Sequence, residues 1–240
     1  MQNFQIFVIS LTQSKDRQAK VKEELSKTSF TWTFLDAVDG RLLSYPIPEY
    51  DPQKVKKLLG FELTPNEIGC FLSHKKAWES SVQNNLITLV FEDDFILLPH
   101  FEQVINQLLE DQEQLELVRL QALNPCQDSL LIEYEQFSLY QNHDDPLGAT
   151  AYLVNPKAAA KLIEHSSSIY EPLDHYLEHH QKHGVPMLAI KPYPVDISRV
   201  KSTIADRPND RKPIKGMRKR MRSINRLIDR WFSKNPWFPK

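Results

Sequence analysis

A short apolar run that ends in three consecutive acids is the strongest constraint in this sequence. Residues 86–91 are apolar apart from one threonine and rich in β-branched and aromatic side chains, which is typical of a fully buried strand. Glu92, Asp93 and Asp94 follow at once, and three carboxylates after a buried strand are costly unless something cationic compensates them. Ligands of open α/β sheets lie just beyond the carboxyl ends of strands. The pattern predicts a divalent cation with a phosphorylated ligand behind it; a solvated strand end, or a helix cap ahead of residues 95–97, is the alternative.

Alternation along an extended chain assigns different roles within these three acids. Glu92 and Asp94 are expected to point to one side of the strand and Asp93 to the other. We therefore predict Asp94 and Glu92 as the metal ligands. Asp93 is kept as a candidate donor-binding residue, but a structural role fits it better.

The composition is that of an ordinary soluble globular protein, with 41% hydrophobic and 25% charged residues among 240. No early basic-then-apolar segment indicates a signal peptide, and no apolar run approaches the ~20 residues of a spanning helix. Cys70 and Cys126 lie far apart without metal-ligand spacing, which favours reduced, structural thiols in a cytosolic protein and no zinc framework. The six glycines form no phosphate-binding loop, which argues against P-loop and dinucleotide-fingerprint proteins.

The last thirty residues differ from the rest in charge and pattern. Residues 211–240 contain eleven Lys/Arg and one acid, whereas residues 1–210 contain nineteen Lys/Arg and thirty acids, so a tail of about +10 follows a body of about −11. Apolar side chains recur from Ile214 to Phe232 at helical spacing, with Lys and Arg on the other faces. We predict a basic amphipathic helix over 211–240 that binds an anionic membrane surface. Packing on the body or on a second subunit is an alternative; nucleic-acid binding is not expected, because it does not need the apolar stripe.

Strand-like and helix-like segments alternate through the rest of the chain. This predicts an α/β fold in which a mixed, mostly parallel sheet carries helices on both faces. Residues 64–67 provide a capping threonine, a proline at the first helical position and a glutamate three residues after the cap, so a helix begins there. Three prolines within residues 44–52 exclude regular structure in that stretch. The predicted strands cover residues 4–11, 31–35, 86–91, 115–120, 137–140, 150–154 and 185–190.

Short motifs that recur in order between residue 4 and about residue 205 point to a known family. They are Val8-Ile9-Ser10-Leu11 with Asp16-Arg17, residues 34–40 (FLDAVDG), residues 63–74 (LTPxExGCxLSH), Val90-Phe91-Glu92-Asp93-Asp94, residues 148–153 (GxTAYL) and Pro172-Leu173-Asp174. Their ordered set resembles glycosyltransferase family 25, the lipopolysaccharide and collagen galactosyl- and glucosyltransferases. The resemblance implies a GT-A-like domain over residues 1–210, a UDP-galactose or UDP-glucose donor, Mn²⁺ or Mg²⁺, and inversion at the anomeric carbon.

The resemblance also implies roles for the carboxylates. Asp94 would bind the metal, and Glu92 would face the ribose or assist. Inversion needs a carboxylate base near the acceptor hydroxyl, and Asp174 is the first candidate. A second metal ligand and a helix-capping aspartate are the alternatives for Asp174. Asp144 and Asp145 could serve as the base instead, although a solvated turn also explains them.

The remaining candidate site residues are implied donor contacts. Ser10 and Arg17 follow the first strand, where Arg17 could pair with phosphate or be an ordinary exposed helix arginine. Ala37 and Asp39 could hold the uridine, in a sequence that is also ordinary turn chemistry. His74 is a candidate donor contact on a mostly apolar helix, where a packed core histidine is the alternative.

Together these features predict an inverting, metal-dependent hexosyltransferase. It would move galactose or glucose from a UDP-sugar to a lipid-linked oligosaccharide such as lipopolysaccharide, as a cytoplasmic protein peripheral on the inner face of a bacterial inner membrane. A non-catalytic membrane- or nucleic-acid-binding protein on the same scaffold is the alternative from another class. Metal-dependent phosphoryl transfer or hydrolysis is a third hypothesis.

Overall fold

A computed structural model describes residues 3–110, 115–143 and 145–198. The strands are β1 (Phe4–Ser10), β2 (Thr33–Asp36), β3 (Ile87–Glu92), β4 (Phe95–Leu97), β5 (Leu117–Arg119), β6 (Asp128–Glu133), β7 (Ser138–Asn142), β8 (Ala151–Val154), β9 (Leu188–Lys191) and β10 (Val195–Ile197). The helices are α1 (Lys15–Leu25), α2 (Pro52–Leu59), α3 (Pro65–Asn84), α4 (Phe101–Glu110), α5 (Pro156–His165), α6 (Leu173–Glu178) and α7 (His180–His183), with a 3₁₀ turn at Gly40–Leu42. The amphipathic helix expected over 211–240 lies outside the described residues.

Eight of these strands form one sheet in the order β2-β1-β3-β8-β5-β9-β7-β6. β1 pairs in parallel with both β2 and β3, and β5 pairs in parallel with β9. The other four neighbouring pairs of this sheet are antiparallel, and β4 and β10 form a separate antiparallel ribbon. The predicted mixed α/β sheet is therefore confirmed, and its parallel part is concentrated around β1, beside the end of β3.

Helices cover both faces of the sheet, as predicted. On one face α1 and α4 bury Leu25 and Ile105 among inward-facing residues of β1 and β3 such as Val8 and Leu89. On the other face α3, α5 and α6 bury Trp78, Leu162 and Tyr176. Because successive strand residues point to opposite faces, a single strand such as β3 contributes to both cores. Among the described residues, no helix is both long and apolar enough to span a bilayer.

The start of α3 matches the sequence prediction closely. The Thr64 hydroxyl accepts a hydrogen bond from the Glu67 backbone N–H at 3.2 Å, and the Glu67 carboxylate accepts one from the Thr64 N–H at 2.8 Å. This reciprocal pair satisfies two donors that a helix start otherwise leaves open. It fixes the beginning of the helix that carries Cys70 and His74.

Several elements were not predicted, among them α2, β4, β6 and β10. α2 begins at Pro52, the last of the prolines taken to exclude regular structure, because proline is tolerated at the first helical position and Asp51 caps the helix. β6 is an edge strand whose side chains are mostly exposed, so its residues carry no burial pattern. β4 and β10 each have three residues and are too short for a recognisable alternation.

Candidate functional site

A cavity of about 450 Å³ lies at the carboxyl ends of β1 and β3. Its lining comes from the end of β1 and the start of α1, the segment after β2, the face of α3, and the acids after β3. The lining residues are Ile9, Ser10, Leu11, Gln13, Ser14, Arg17, Ala37, Val38, Asp39, Gly40, Arg41, Asn66, Cys70, Ser73, His74, Glu92, Asp93 and Asp94. The parallel registers explain why these segments meet, since Ile9 lies opposite Glu92 and Ser10 lies opposite Asp36. Three strands thus end at one edge, where α/β proteins bind ligands.

Eight of the nine predicted site residues line this cavity. They are Ser10, Arg17, Ala37, Asp39, His74, Glu92, Asp93 and Asp94. Asp174, the ninth, lies outside the lining. The alternation expected within the three acids does not hold, because β3 ends at Glu92 and the two aspartates occupy the turn before β4. All three carboxylates therefore line one cavity, instead of two facing it and one facing away.

Asp93 is paired on both of its oxygens. It accepts a 2.7 Å salt bridge from Arg17 and a 2.6 Å hydrogen bond from the Ser10 hydroxyl. The side chains of Arg17 and Asp93 are 15% and 10% exposed, so little water screens this pair. Asp93 thereby joins the start of α1 to the end of β3 and sets one wall of the cavity.

Glu92 is enclosed by uncharged donors and by a histidine. Its carboxylate lies 3.6 Å from Cys70 Sγ and 3.3 Å from the Thr150 hydroxyl, and Oε1 lies 3.6 Å from His74 Nε2. Burial alone would raise the pKa of Glu92. Interactions with His74, Cys70 and Thr150 together outweigh burial and hold this pKa below the ordinary value. Glu92 is therefore a carboxylate that stays charged.

Asp94 has the opposite character. Its Oδ1 is buried and has no hydrogen-bond partner among the described residues. Burial and, after it, the neighbouring charge of Glu92 raise the pKa of Asp94 to about 7, and Arg17 opposes the shift. A buried carboxylate oxygen without a partner is rare and needs an explanation. A cation shared with Glu92 would supply one, so the two predicted metal ligands fit a hard divalent ion.

His74 is buried and held in a small aromatic network. Its Nδ1 lies 2.9 Å from the Tyr152 hydroxyl, which also accepts a 2.8 Å hydrogen bond from Trp78 Nε1. The imidazole is fully buried and stacks on the Tyr152 ring, while Nε2 points towards Glu92. The sequence identified His74 but not Thr150 or Tyr152, since nothing local shows that β8 would lie beside β3.

The loop after β2 is shaped by close backbone packing on α3. A Cβ atom on Gly40 would lie 1.9 Å from the Pro65 carbonyl oxygen, so only glycine fits there. Asp39 accepts hydrogen bonds from Arg41 and from Gln13, and the Arg41 hydrogen bonds hold the pKa of Asp39 well below its ordinary range. Asp39 is thus a permanent anion at the cavity mouth, close to where the resemblance implies uridine binding.

Asp174 lies in the first turn of α6 and is half-buried. Pro172 occupies the N-cap position, so Asp174 is not the N-cap residue, but its Oδ1 accepts a 3.0 Å hydrogen bond from the His175 N–H in the first turn. Its negative charge adds to the effects that raise the pKa of Cys70, on the cavity wall, and of Glu178. Of the alternative bases, Asp145 is exposed and Asp144 lies outside the described residues.

A buried ion pair that the sequence did not reveal supports the loop beside the cavity. Arg119 pairs with Glu178 at 2.6 Å, and their side chains are 2% and 3% exposed. Arg119 also donates to the carbonyls of Leu147 and Gly148, and Glu178 accepts from the Leu147 N–H at 2.9 Å. The loop held in this way leads into Thr150, which contacts Glu92. No local signal could have indicated this pair, because its members are 59 residues apart.

The family model for glycosyltransferase family 25, described as lipopolysaccharide biosynthesis protein, matches residues 3–177. The chain belongs to this family. The match includes the acids after β3, the cavity walls and Asp174.

Several curated relatives match about half of this chain. A mouse protein named inactive glycosyltransferase 25 family member 3 is 36% identical over 118 residues, which is 45% of this chain and 19% of the mouse protein. Procollagen galactosyltransferase 1-A from Xenopus laevis is 32% identical over 124 residues, covering 47% and 20%. Human procollagen galactosyltransferase 2 is 31% identical over 121 residues, covering 47% and 19%. The matched part is thus about a fifth of the length of these relatives.

Proposed function

We propose that this chain is a metal-dependent, inverting glycosyltransferase that moves galactose or glucose from a UDP-sugar to a lipid-linked oligosaccharide. The observation that carries the proposal is the arrangement of Glu92 and Asp94 at the cavity edge. One carboxylate is held charged, and the other has a buried oxygen without a partner among the described residues. Two such oxygens suit a hard cation that a nucleotide diphosphate also coordinates.

Glu92 and Asp94 would hold Mn²⁺ or Mg²⁺ through their carboxylate oxygens. When bound, such an ion supplies positive charge that stabilises a diphosphate leaving group. The rest of the site supports this arrangement. Arg17 neutralises Asp93, so the cation would bind the other two acids, Glu92 and Asp94. The Thr150 hydroxyl fixes the orientation of the Glu92 carboxylate.

The donor would occupy the cavity itself. A volume of about 450 Å³ is in the range of small-molecule sites. The nucleoside would lie towards Ala37 and Asp39, and the diphosphate towards the acids after β3 and the start of α1. Galactose is the preferred sugar in this proposal because named relatives are procollagen galactosyltransferases.

Asp174 is the proposed base for the acceptor hydroxyl. Its half-buried position at the start of α6 leaves its carboxylate accessible from outside the donor cavity. An acceptor would then approach from the α6 side. The description of the family model favours a lipopolysaccharide-type acceptor, and the net charge of about +10 over residues 211–240 favours a site on an anionic membrane surface.

The test is a donor and metal screen with a matched variant. We expect the full chain, incubated with UDP-galactose or UDP-glucose, Mn²⁺ and lipooligosaccharide, to release UDP at a rate that the acceptor stimulates. Asp94→Ala should abolish this release, whereas Asp196→Asn, an exposed aspartate on β10, should leave it unchanged. Near-normal transfer by Asp94→Ala that still requires Mn²⁺ would show the metal assignment to be wrong.

The named inactive relatives favour one alternative, a non-catalytic role on the same scaffold. Binding of UDP and Mn²⁺ without turnover of either UDP-hexose would support that alternative. UDP-sugar hydrolysis that no acceptor stimulates would instead support the phosphoryl-transfer or hydrolysis hypothesis.

A further inference from the structure

Cys70, His74 and Glu92 bring three different metal-binding groups together on the cavity wall. A thiol sulfur, an imidazole nitrogen and a carboxylate oxygen all lie within 4.8 Å of one another. Cys70 and His74 are four residues apart on α3, which places them on one helix face, and Glu92 meets them from the end of β3. The sequence interpretation of Cys70 as a structural thiol missed this, because the third member is remote in the chain.

The distances match those of a tetrahedral ion. Zinc binds nitrogen and oxygen at about 2.0–2.2 Å and sulfur at about 2.3 Å, so neighbouring ligands of one tetrahedral ion lie roughly 3.3–3.6 Å apart. Cys70 Sγ lies 3.6 Å from Glu92 Oε1, and His74 Nε2 lies 3.6 Å from the same oxygen. Two of the three ligand separations are therefore already those of a coordinated site.

His74 provides a second and independent observation. The side chain is 0% exposed, and its Nε2 makes no hydrogen bond to any described residue although it points at Glu92. Metal binding through Nε2 places the imidazole proton on Nδ1, where the Tyr152 hydroxyl oxygen at 2.9 Å accepts it. Histidines that bind metals almost always have such an outer partner. The Thr150 hydroxyl is the corresponding outer partner of the Glu92 carboxylate.

We propose that Cys70, His74 and Glu92 form a site for a thiophilic divalent cation such as Zn²⁺, with its fourth position open to the cavity. Sulfur and imidazole ligands favour Zn²⁺, whereas Mn²⁺ and Mg²⁺ prefer oxygen. The site is therefore chemically distinct from the oxygen pair of Glu92 and Asp94. Because Glu92 belongs to both sets, Zn²⁺ bound here competes with a hard cation for that carboxylate.

Cobalt absorption tests the site without any sugar donor. The full chain, untagged and stripped of metal, is titrated with Co²⁺, and the thiolate-to-cobalt charge-transfer band is recorded before displacement by Zn²⁺. We expect one equivalent to give the band. Cys70→Ser should lose it and bind Zn²⁺ at least roughly 100-fold more weakly. Cys126→Ser is the matched control and should keep both the band and the Zn²⁺ affinity, since the Cys126 thiol contacts Asn142 and is not among the residues that line the cavity.

Two further variants make the outcome decisive. His74→Gln retains the thiol and should also weaken Zn²⁺ binding, which carries the test if Cys70→Ser does not fold by circular dichroism. Asp94→Asn should keep the cobalt band, so this result is independent of the hexosyl-transfer proposal. Absence of the band in the unmodified chain, or its loss in Cys126→Ser instead of Cys70→Ser, would overturn the proposal.

Discussion

Two carboxylates in this protein, the half-buried Asp94 and the buried Glu178, have the same raised pKa and opposite surroundings. Burial raises the pKa of Asp94, at the cavity edge, and of Glu178, behind the loop after β7, to about 7 in each case. Glu178 has Arg119 at 2.6 Å and the Leu147 N–H at 2.9 Å, whereas Asp94 Oδ1 has no partner among the described residues. A raised pKa alone therefore does not distinguish a structural acid from a ligand-binding one. The presence or absence of hydrogen-bond partners does.

The largest expected effect is the loss of folding stability when Glu178, the paired acid, is replaced. Glu178→Ala leaves the Arg119 guanidinium buried without its counter-charge, which should lower the free energy of unfolding by about 3–5 kcal/mol. Urea denaturation followed by circular dichroism measures this. Adding Arg119→Met should recover most of the loss, because replacing both partners by apolar groups is often neutral. A loss below about 1 kcal/mol would mean that the pair does not hold the loop.

Replacement of Asp94 should have the reverse effect, with stability kept and activity lost. Asp94→Asn removes a half-buried charge whose Oδ1 has no hydrogen-bond partner among the described residues, so we expect unfolding stability to be unchanged or slightly higher. Hexosyl transfer should nevertheless fall by roughly 10²- to 10³-fold, the size of losing one electrostatic contact to the transition state. Stability is measured by urea denaturation and transfer by UDP release at saturating Mn²⁺. If Asp94→Asn is as destabilised as Glu178→Ala, the contrast between the two acids fails.

The contrast between Asp94 and Glu178 also shows which parts of the structure the sequence could predict. The buried run before Glu92, the capping box at Thr64 and the alternation of elements depend on local pattern, and each is confirmed. The residues that gather around the cavity were largely indicated by the family motifs, because parallel strands end at one edge. The roles within the three acids could not be derived, since alternation applies only while the chain stays extended, and β3 ends at Glu92.

Long-range pairs explain the rest of what was missed. Thr150 and Tyr152 reach Glu92 and His74 only because β8 pairs antiparallel with β3, across about 60 residues of chain. Arg119 and Glu178 likewise carry no mark in their local sequence. Cysteine spacing excluded a zinc framework built on two thiols, but it could not detect a mixed set of one thiol, one imidazole and one carboxylate.

The pH dependence of the stabilisation by Mn²⁺ should separate the two acids further. Asp94 has a folded pKa of about 7 against an ordinary 3.8, so it binds its proton more tightly when folded. The stabilisation of the folded state that comes from this raised pKa is fully present below pH 3.8 and is lost as the pH rises towards 7. Mn²⁺ binds the charged form, so the increase in Tm that Mn²⁺ produces should grow across pH 6–8. This increase should disappear in Asp94→Asn and persist in Glu178→Gln; equal responses in the two variants would contradict the assignment.

Asp93 provides the smallest and sharpest test, because it lies beside Asp94 but is fully paired. Ser10→Ala removes one hydrogen bond to Asp93 and leaves the Arg17 salt bridge in place. We expect unfolding stability to fall by about 1.5–3 kcal/mol, the value of a hydrogen bond to a charged group. Thr12→Ala is the matched control at the same sheet edge: its 3.2 Å hydrogen bond to Asp36 is exposed and should contribute less than about 0.5 kcal/mol. Because Ser10 acts on Asp93 and not on the metal ligands, the Mn²⁺ concentration for half-maximal transfer should stay unchanged. A large shift in that concentration would mean that Asp93 belongs with Asp94 in the metal site and not with Glu178 among the structural acids.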